Sequence, residues 1–132
     1  MKQTILFLCP HNAAKSVIAA AYFNQLADES GLPFIADSAG TEPSDSVLPA
    51  VAAMMEQDGL DVSQFKPRLV TSDDYRTAAR VISVGCMPEA LKDAGDVEYW
   101  DDVPMFSQNP EASRDAIRTH VQRLIAALAA IQ

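Results

Sequence analysis

The sequence predicts a three-layer α/β fold, in which a four-stranded parallel sheet carries helices on both faces. Short apolar stretches alternate with stretches of helical periodicity along the chain. Strands that are separated by helices pair in parallel through right-handed crossovers. In addition, residues 5–8 are apolar at every position, which is typical of a strand that is buried on both faces of such a sheet.

Eight elements are predicted, in chain order: strand 4–8, helix 15–29, strand 34–40, helix 47–58, short helix 71–79, strand 80–85, strand 97–100 and a helix from 110 onwards. Gly31 ends the first helix, whose apolar face comprises Ile18, Ala19, Tyr22, Phe23 and Leu26. The second helix has Ser46 as its N-cap and ends at Gly59, and its apolar residues are Val51, Met54 and Met55.

The second half of the chain begins with a predicted loop at residues 60–70. The stretch "TSDDYRTAA" starts with capping residues and predicts the short third helix. The apolar runs "RVISVG" and "VEYW" predict the third and fourth strands. Asn109-Pro110-Glu111 is a strong start for the last helix, whose apolar stripe comprises Ile117, Val121, Leu124, Ile125, Leu128 and Ile131.

Length and composition indicate one globular domain at residues 1–132. The chain is 48% hydrophobic and 21% charged, and no apolar stretch approaches the roughly 18 residues of a membrane span. Two cysteines do not make a secreted disulfide framework, so we expect a cytoplasmic protein with reduced thiols and no membrane association. The net charge of −8 argues against nucleic-acid binding, although a local positive site can still bind a small anion.

The carboxyl ends of the predicted strands carry the residues with candidate chemistry. Cys9 follows the first strand, Cys86 follows the third, and Asp101 and Asp102 follow the fourth. Because parallel sheets place their sites at this edge, we expect two thiols and a pair of carboxylates to face the same region. The alternatives are that Cys86 is a packing residue beside the sheet and that the two aspartates are solvated turn residues.

The loop after Cys9 predicts an anion site. Residues 10–16 lead from a strand into a helix, so their N–H groups can turn inward, and the helix N-terminus adds partial positive charge. This field favours a thiolate, which makes Cys9 a candidate nucleophile. Asn12 suits a backbone position with positive φ, and Ser16 is placed to donate a hydrogen bond to the thiolate. The alternative is that Cys9 is a small buried apolar residue, which leaves the polar loop unexplained.

The pattern Cys9-x5-Lys15-Ser16 resembles the phosphate loop of the low-molecular-weight protein tyrosine phosphatases and of the arsenate reductases built on the same fold. The family pattern is Cys-x5-Arg-Ser, and "CPHNAAKS" is similar to its reductase form. Three later segments are similar to the family as well: "DSAGTEP" after the second strand, "FKPRLVTSDDYRTAARVISVGC" leading to the third, and the tryptophan-containing "VEYWDDVP".

The resemblance implies how the site works. The loop cysteine attacks phosphorus or arsenic, the loop holds the oxyanion, and a later aspartate protonates the leaving oxygen. In the reductases a second thiol then releases arsenite, and Cys86 matches their first downstream cysteine. The residues implied as catalytic are Cys9, Lys15, Ser16, Cys86 and Asp102, with Asp101 as the reserve acid, and those implied as oxyanion-binding are Pro10, His11, Asn12, Ala13, Ala14, Lys15 and Ser16.

The sequence departs from the family in three places. Lys15 stands where the family has arginine, and it provides a point charge without the bidentate fork. Losing one such contact in a transition state commonly costs about 2.7–4 kcal/mol. The expected Asp-Pro is replaced by Asp101-Asp102-Val103-Pro104. After Cys86 there is no third cysteine, so the three-thiol relay that some reductases use with thioredoxin lacks one member.

Four functions are therefore considered. The first is a thiol-dependent arsenate reductase, which needs no metal and no bound cofactor but an external thiol such as glutathione, mycothiol, glutaredoxin or thioredoxin. The second is a phosphatase acting on a phosphoprotein or a small phosphate ester. The third is a catalytically weakened oxyanion-binding relative, and the fourth is a cysteine phosphocarrier, which leaves Lys15-Ser16 unexplained. Cys86 favours the first, because a hydrolase needs no second thiol. We expect a monomer or a dimer.

Overall fold

The computed structural model describes residues 2–132 and contains one sheet of four parallel strands. The strands are β1 (Gln3–Cys9), β2 (Phe34–Gly40), β3 (Arg80–Ser83) and β4 (Glu98–Tyr99). Their spatial order is β2-β1-β3-β4, so β1 pairs with both β2 and β3. This confirms the predicted sheet, and it places Cys9, the last residue of β1, in the middle of the carboxyl edge.

Helices cover both faces of the sheet, as the three-layer prediction requires. The elements are α1 (Lys15–Glu29), α2 (Pro49–Gln57), α3 (Ser72–Thr77), a single 3-10 turn (Pro88–Leu91) and α4 (Pro110–Ala130). Ile5 and Phe7 of β1 belong to the larger core, which contains buried residues of α1, α2 and α4. Leu6 and Leu8 belong to the smaller core, against which α3 and the 3-10 turn pack. The alternation of β1 side chains between two cores explains why this strand is apolar at successive positions.

The start of α2 differs from the prediction. Leu48, not Ser46, occupies the N-cap, and Pro49 is the first helical residue. Proline has a fixed φ and no N–H group, so it suits the first turn of a helix without a side-chain cap. Ser46 is exposed and lies in the segment before the helix. The predicted N-cap at Ser46 was therefore wrong, because the helix begins at Pro49.

The last helix follows the sequence prediction except at its end. The Asn109 side chain accepts a hydrogen bond from the Ala112 N–H group at 3.0 Å and so caps α4. The predicted stripe is buried from Ile117 to Leu128. Ile131 was predicted to continue the stripe, but it lies beyond the helix and is 68% exposed. No helix among residues 2–132 is long and apolar enough to cross a membrane.

The short helix α3 is held by a reciprocal cap. The Asp74 N–H group donates to the Thr71 hydroxyl, and the Asp74 carboxylate accepts from the Thr71 N–H group. The same carboxylate accepts a hydrogen bond from the Arg68 guanidinium at 2.9 Å. Partial burial raises the pKa of Asp74, but the hydrogen bonds from Arg68 and Thr71 outweigh this effect and hold the pKa below its usual value. Asp74 therefore stabilises the fold in its ionised form.

We predict that Asp74→Asn lowers stability at neutral pH and flattens the acid limb of the stability profile. A carboxyl with a lowered folded-state pKa stabilises the fold above its unfolded value of about 4, and this contribution is lost as the pH falls through the folded-state pKa. Urea unfolding across this range measures the effect. Asp73→Asn is the matched control, because Asp73 lies on the same turn in an exposed pair with Arg76. An Asp74→Asn profile parallel to that of the wild type would contradict the prediction.

Candidate active site

Cys9 lies at the floor of the loop that joins β1 to α1. Its side chain is buried, and its Sγ atom lies 3.0 Å from the Ser16 hydroxyl. The Ser16 N–H group, in the first turn of α1, donates to the same sulfur at 3.3 Å. The structure thus brings the predicted Cys9 and Ser16 into contact.

The backbone of the loop turns its carbonyl groups toward the segment before α2. The Pro10, His11 and Ala13 carbonyls accept hydrogen bonds from the N–H groups of three residues in that segment: Glu42, Ser44 and Leu48. In a trans peptide the following N–H group points the opposite way. The three N–H groups that follow these carbonyls therefore point away from residues 42–48. Among residues 2–132, no backbone carbonyl accepts a hydrogen bond from these three N–H groups. They are therefore available to bind an anion.

Asn12 holds the loop in this conformation. It has a φ of 51° and a fully buried side chain. Its Nδ2 group donates to the Ser16 hydroxyl at 2.8 Å and to the Ser38 hydroxyl at 3.1 Å. Its Oδ1 atom accepts from the Arg68 N–H group at 3.0 Å. All the polar atoms of the amide are thus used, and they connect the loop to α1, to β2 and to the loop before α3.

A second layer of charges lies behind Asn12. The Arg68 guanidinium contacts Asp37 at 2.7 Å and Asp74 at 2.9 Å, and thereby joins β2 to α3. Gly40, at the end of β2, packs against the loop so closely that a Cβ atom there would lie 2.7 Å from the Pro10 carbonyl oxygen. A side chain at this position would displace the loop. The sequence analysis assigned no role to Arg68, and no local pattern relates it to Asn12.

Lys15 extends from the start of α1 to the turn after β3. A Cβ atom built on Gly85 would lie only 2.5 Å from the Lys15 Nζ atom, so the ammonium group lies against the Gly85 backbone. The predicted basic residue therefore does reach the region above Cys9, where both Lys15 and Gly85 line the same cavity. The His11 side chain contacts the segment before α2, where its Nδ1 atom is 3.0 Å from the Glu42 carbonyl oxygen.

Cys86 is buried beside the smaller core. Its N–H group donates to the Ser83 hydroxyl at 3.0 Å, which fixes the turn at the end of β3. Burial raises the pKa of the Cys86 thiol, the charge of Cys9 raises it further, and the Lys15 ammonium lowers it. Both cysteines are free thiols. The structure places the two thiols at one sheet edge with Lys15 nearby, but Cys86 does not line the cavity at Cys9.

A cavity of about 420 Å³ opens above the loop. Its lining comprises Cys9, Pro10, His11, Ala13, Ala14, Lys15, Ser44, Leu48, Gly85, Met105, Phe106 and Ser107. The lining contains one lysine, Lys15, and no arginine, aspartate or glutamate, and apolar side chains form most of the wall. The segment 105–107 was not predicted to contribute. Its position after the fourth strand, at the same sheet edge, was the available signal.

The two candidate acids lie outside this cavity lining. Asp101 and Asp102 are exposed, and the Asp102 carboxylate is 2.6 Å from His120 Nε2. The His120 ring in turn stacks on Trp100 with a centroid distance of 4.6 Å. The hydrogen bond from His120 lowers the pKa of Asp102, which favours the ionised form over the protonated form that a general acid needs. An acid role for either residue stays a prediction.

Among residues 2–132, no group of three histidine, cysteine or carboxylate side chains is arranged to hold a metal ion. The available groups are two thiols, one ammonium and a set of loop N–H groups. Together they can bind a tetrahedral oxyanion and attack its central atom with sulfur. The roles of the predicted residues in such a reaction remain predictions.

Comparison with known sequences identifies relatives of this arrangement. Residues 4–87 match the family described as low molecular weight phosphotyrosine protein phosphatase. A protein of Halobacterium salinarum named "Putative arsenate reductase" is 29% identical over 97 residues, which cover 71% of this chain and 68% of that protein. Residues 4–87, the part that matches the family, contain the Cys9 loop and the turn that carries Cys86.

Comparison with solved structures finds the same fold. YfkJ from Bacillus subtilis has a TM-score of 0.85 and 20% identity, with coverage of 100% of this chain and 98% of that chain. The thioredoxin-dependent arsenate reductase of Corynebacterium glutamicum has a TM-score of 0.80 and 24% identity, with coverage of 99% of this chain and 64% of that chain. At these identities the likeness concerns the fold alone.

We predict that Asn12→Ala weakens phosphate binding roughly tenfold, because the loop loses the side-chain hydrogen bonds of Asn12 that hold its conformation. It should also lower the free energy of unfolding by about 1–3 kcal/mol, since the Arg68 N–H group loses its acceptor. Asn24→Ala is the matched control. The Asn24 side-chain amide also forms hydrogen bonds with backbone groups, those of Ala36, but it lies away from the loop. Calorimetry with phosphate and urea unfolding separate the two effects. Equal phosphate affinity in the two variants would refute the role given to Asn12.

Proposed function

Because the chain belongs to the low molecular weight phosphotyrosine protein phosphatase family, we propose that it uses the Cys9 loop as an oxyanion site, and that it acts as a thiol-dependent arsenate reductase. Arsenate is a tetrahedral oxyanion of the kind that inward-facing loop N–H groups bind. Lys15 supplies the positive charge above the loop, and Ser16 supports the Cys9 thiolate.

In the proposed reaction the Cys9 thiolate attacks arsenic and forms a sulfur–arsenic bond, while one arsenate oxygen leaves as water. We assign the proton for this oxygen to Asp102, with Asp101 as the alternative. Neither residue lines the cavity, so the segment after β4 must move toward Cys9 and the Asp102–His120 hydrogen bond must open for this step. A second thiolate then attacks the Cys9 sulfur. The sulfur–arsenic bond breaks, its electron pair stays on arsenic, and arsenite leaves as As(III). Two thiols have become a disulfide, which an external thiol must reduce before the next turnover.

The observation that carries this proposal is the second thiol. Cys86 follows β3, which pairs in parallel with β1, so both cysteines lie at the carboxyl edge of neighbouring strands. A phosphatase reaction ends in hydrolysis and has no use for such a thiol. The Cys86 thiol is buried, so the turn that follows β3 must move for it to reach Cys9. Gly85, with a φ of 104°, gives that turn a backbone conformation that favours glycine.

A phosphatase is the second candidate function, and the cavity is the observation that favours it. The cavity of about 420 Å³ is much larger than a bare oxyanion needs, and Leu48, Met105 and Phe106 give it an apolar wall. A phosphate ester with an apolar group would use this wall, whereas arsenate would leave it uncovered. In this reaction water, and not a thiol, would release the Cys9 adduct.

The external reductant of the proposed reductase is a thiol of the glutathione, mycothiol, glutaredoxin or thioredoxin class. A catalytically weakened oxyanion-binding protein would bind the same anions without turnover. These alternatives separate in one assay, in which arsenate with each thiol donor is compared with an aryl phosphate as the substrate. Sustained arsenite release supports the reductase, and phosphate release supports the phosphatase.

We predict that arsenate converts the protein to an internal Cys9–Cys86 disulfide in the absence of added thiol. Mass spectrometry after one equivalent of arsenate should detect the loss of two hydrogens and a cross-linked peptide. Cys86→Ser should stop at the arsenic adduct, and Cys9→Ser should not react. Leu91→Ala is the packing control, because Leu91 is buried in the same small core as Cys86. It should lower stability and leave the disulfide unchanged.

Normal turnover of Cys86→Ser with a small thiol would assign the second step to an external thiol and return Cys86 to a packing role. Hydrolysis of the aryl phosphate without any arsenate turnover would replace the reductase with the phosphatase.

A further inference from the structure

We propose that Gly85 is a positioning residue for the oxyanion site, because its missing side chain leaves the space in which the Lys15 ammonium lies. This inference rests on the proposed oxyanion site at Cys9 and adds a residue to it. Gly85 and Lys15 are in contact although they are far apart in the sequence. Lys15 lies in the first turn of α1, and Gly85 lies in the turn after β3.

A side chain at position 85 would force the Lys15 ammonium out of its present position, because the flexible lysine stem is the part that can move. A Cβ atom at position 85 would lie 2.5 Å from Lys15 Nζ and 3.3 Å from Lys15 Cε. The chain has three other glycines with positive φ, and a Cβ atom on any of these would meet nothing within 4 Å: Gly31, Gly59 and Gly95. Backbone conformation alone therefore explains those three, whereas Gly85 has a second, steric reason to be glycine.

Hydrogen bonds fix the position of Gly85 relative to Cys9. The Val84 N–H group donates to the Leu8 carbonyl at 2.7 Å, directly before Cys9 in β1. The Cys86 N–H group donates to the Ser83 hydroxyl on the other side of the turn. The surface against which the ammonium lies is thus part of the same sheet edge as the nucleophile.

This support matters because Lys15 is the one lysine of the cavity lining, which contains no arginine. A lysine side chain has a flexible four-carbon stem and a compact charge, so it gains nothing from a rigid planar fork. Packing the ammonium against the Gly85 backbone restricts where that charge stands before an anion binds, and preorganised charge binds an oxyanion more tightly. The same position lets the ammonium lower the pKa of Cys86.

The test is a double-mutant cycle in phosphate affinity, measured by calorimetry on the full chain. Gly85→Ala should weaken phosphate binding about tenfold, the usual effect of losing one hydrogen bond from a charged donor. Lys15→Ala should weaken it by a similar factor. The double variant should bind no more weakly than Lys15→Ala alone, because the ammonium that Gly85 positions is then absent. Gly95→Ala also places an alanine at positive φ, but without a contact, and should bind as the wild type does.

Independent losses that multiply in the double variant would overturn the proposal, since Gly85 would then act through the backbone and not through Lys15. Unchanged phosphate affinity in Gly85→Ala would overturn it as well. If Gly85→Ala lowers the melting temperature more than Gly95→Ala, adding Lys15→Ala should recover the difference, and no recovery contradicts the steric contact. A wild-type chain that does not bind phosphate refutes the oxyanion site itself, which is a separate result.

Discussion

One buried amide, the side chain of Asn12, determines the shape of the site. Every polar atom of this amide is hydrogen-bonded, and its partners belong to α1, β2 and the loop before α3. A buried amide costs free energy unless it is fully satisfied, so these partners and the left-handed backbone at Asn12 stabilise one another. In this conformation the loop N–H groups point away from residues 42–48, and Ser16 lies beside the Cys9 sulfur.

The charges of the site are sparse for a protein that would bind an oxyanion. The chain has a formal net charge of −8, and the cavity lining contains one lysine, Lys15, and no arginine. Arg68 lies nearby, but Asp37 and Asp74 accept its hydrogen bonds. The loop dipoles and one positioned ammonium must therefore provide the attraction that an arginine fork provides in the related pattern. If the loop binds an oxyanion as proposed, we expect both the Asn12 network and the Gly85 contact to affect its affinity.

The sequence predicted the parts of the structure that have a local signal. The apolar run before Cys9, the periodicity of α1 and the Asn109-Pro110 cap depend on neighbouring residues, and each is found in the structure. Contacts between distant segments leave no such signal. Arg68 lies 56 positions from Asn12, and neither this contact nor the approach of Lys15 to Gly85 was predicted. The hydrogen bond between Asp102 and His120 was not predicted for the same reason, because it depends on how α4 packs.

The most direct test of the account is protection of Cys9 from alkylation by an oxyanion. The account predicts that iodoacetamide modifies Cys9 faster than Cys86, and that arsenate and phosphate slow this modification competitively and saturably. Chloride at equal ionic strength should not protect, because the N–H groups of the loop bind a tetrahedral oxyanion through several hydrogen bonds at once. Alkylation of Cys9 that is unaffected by saturating arsenate would contradict the central claim, since the loop would then bind no oxyanion.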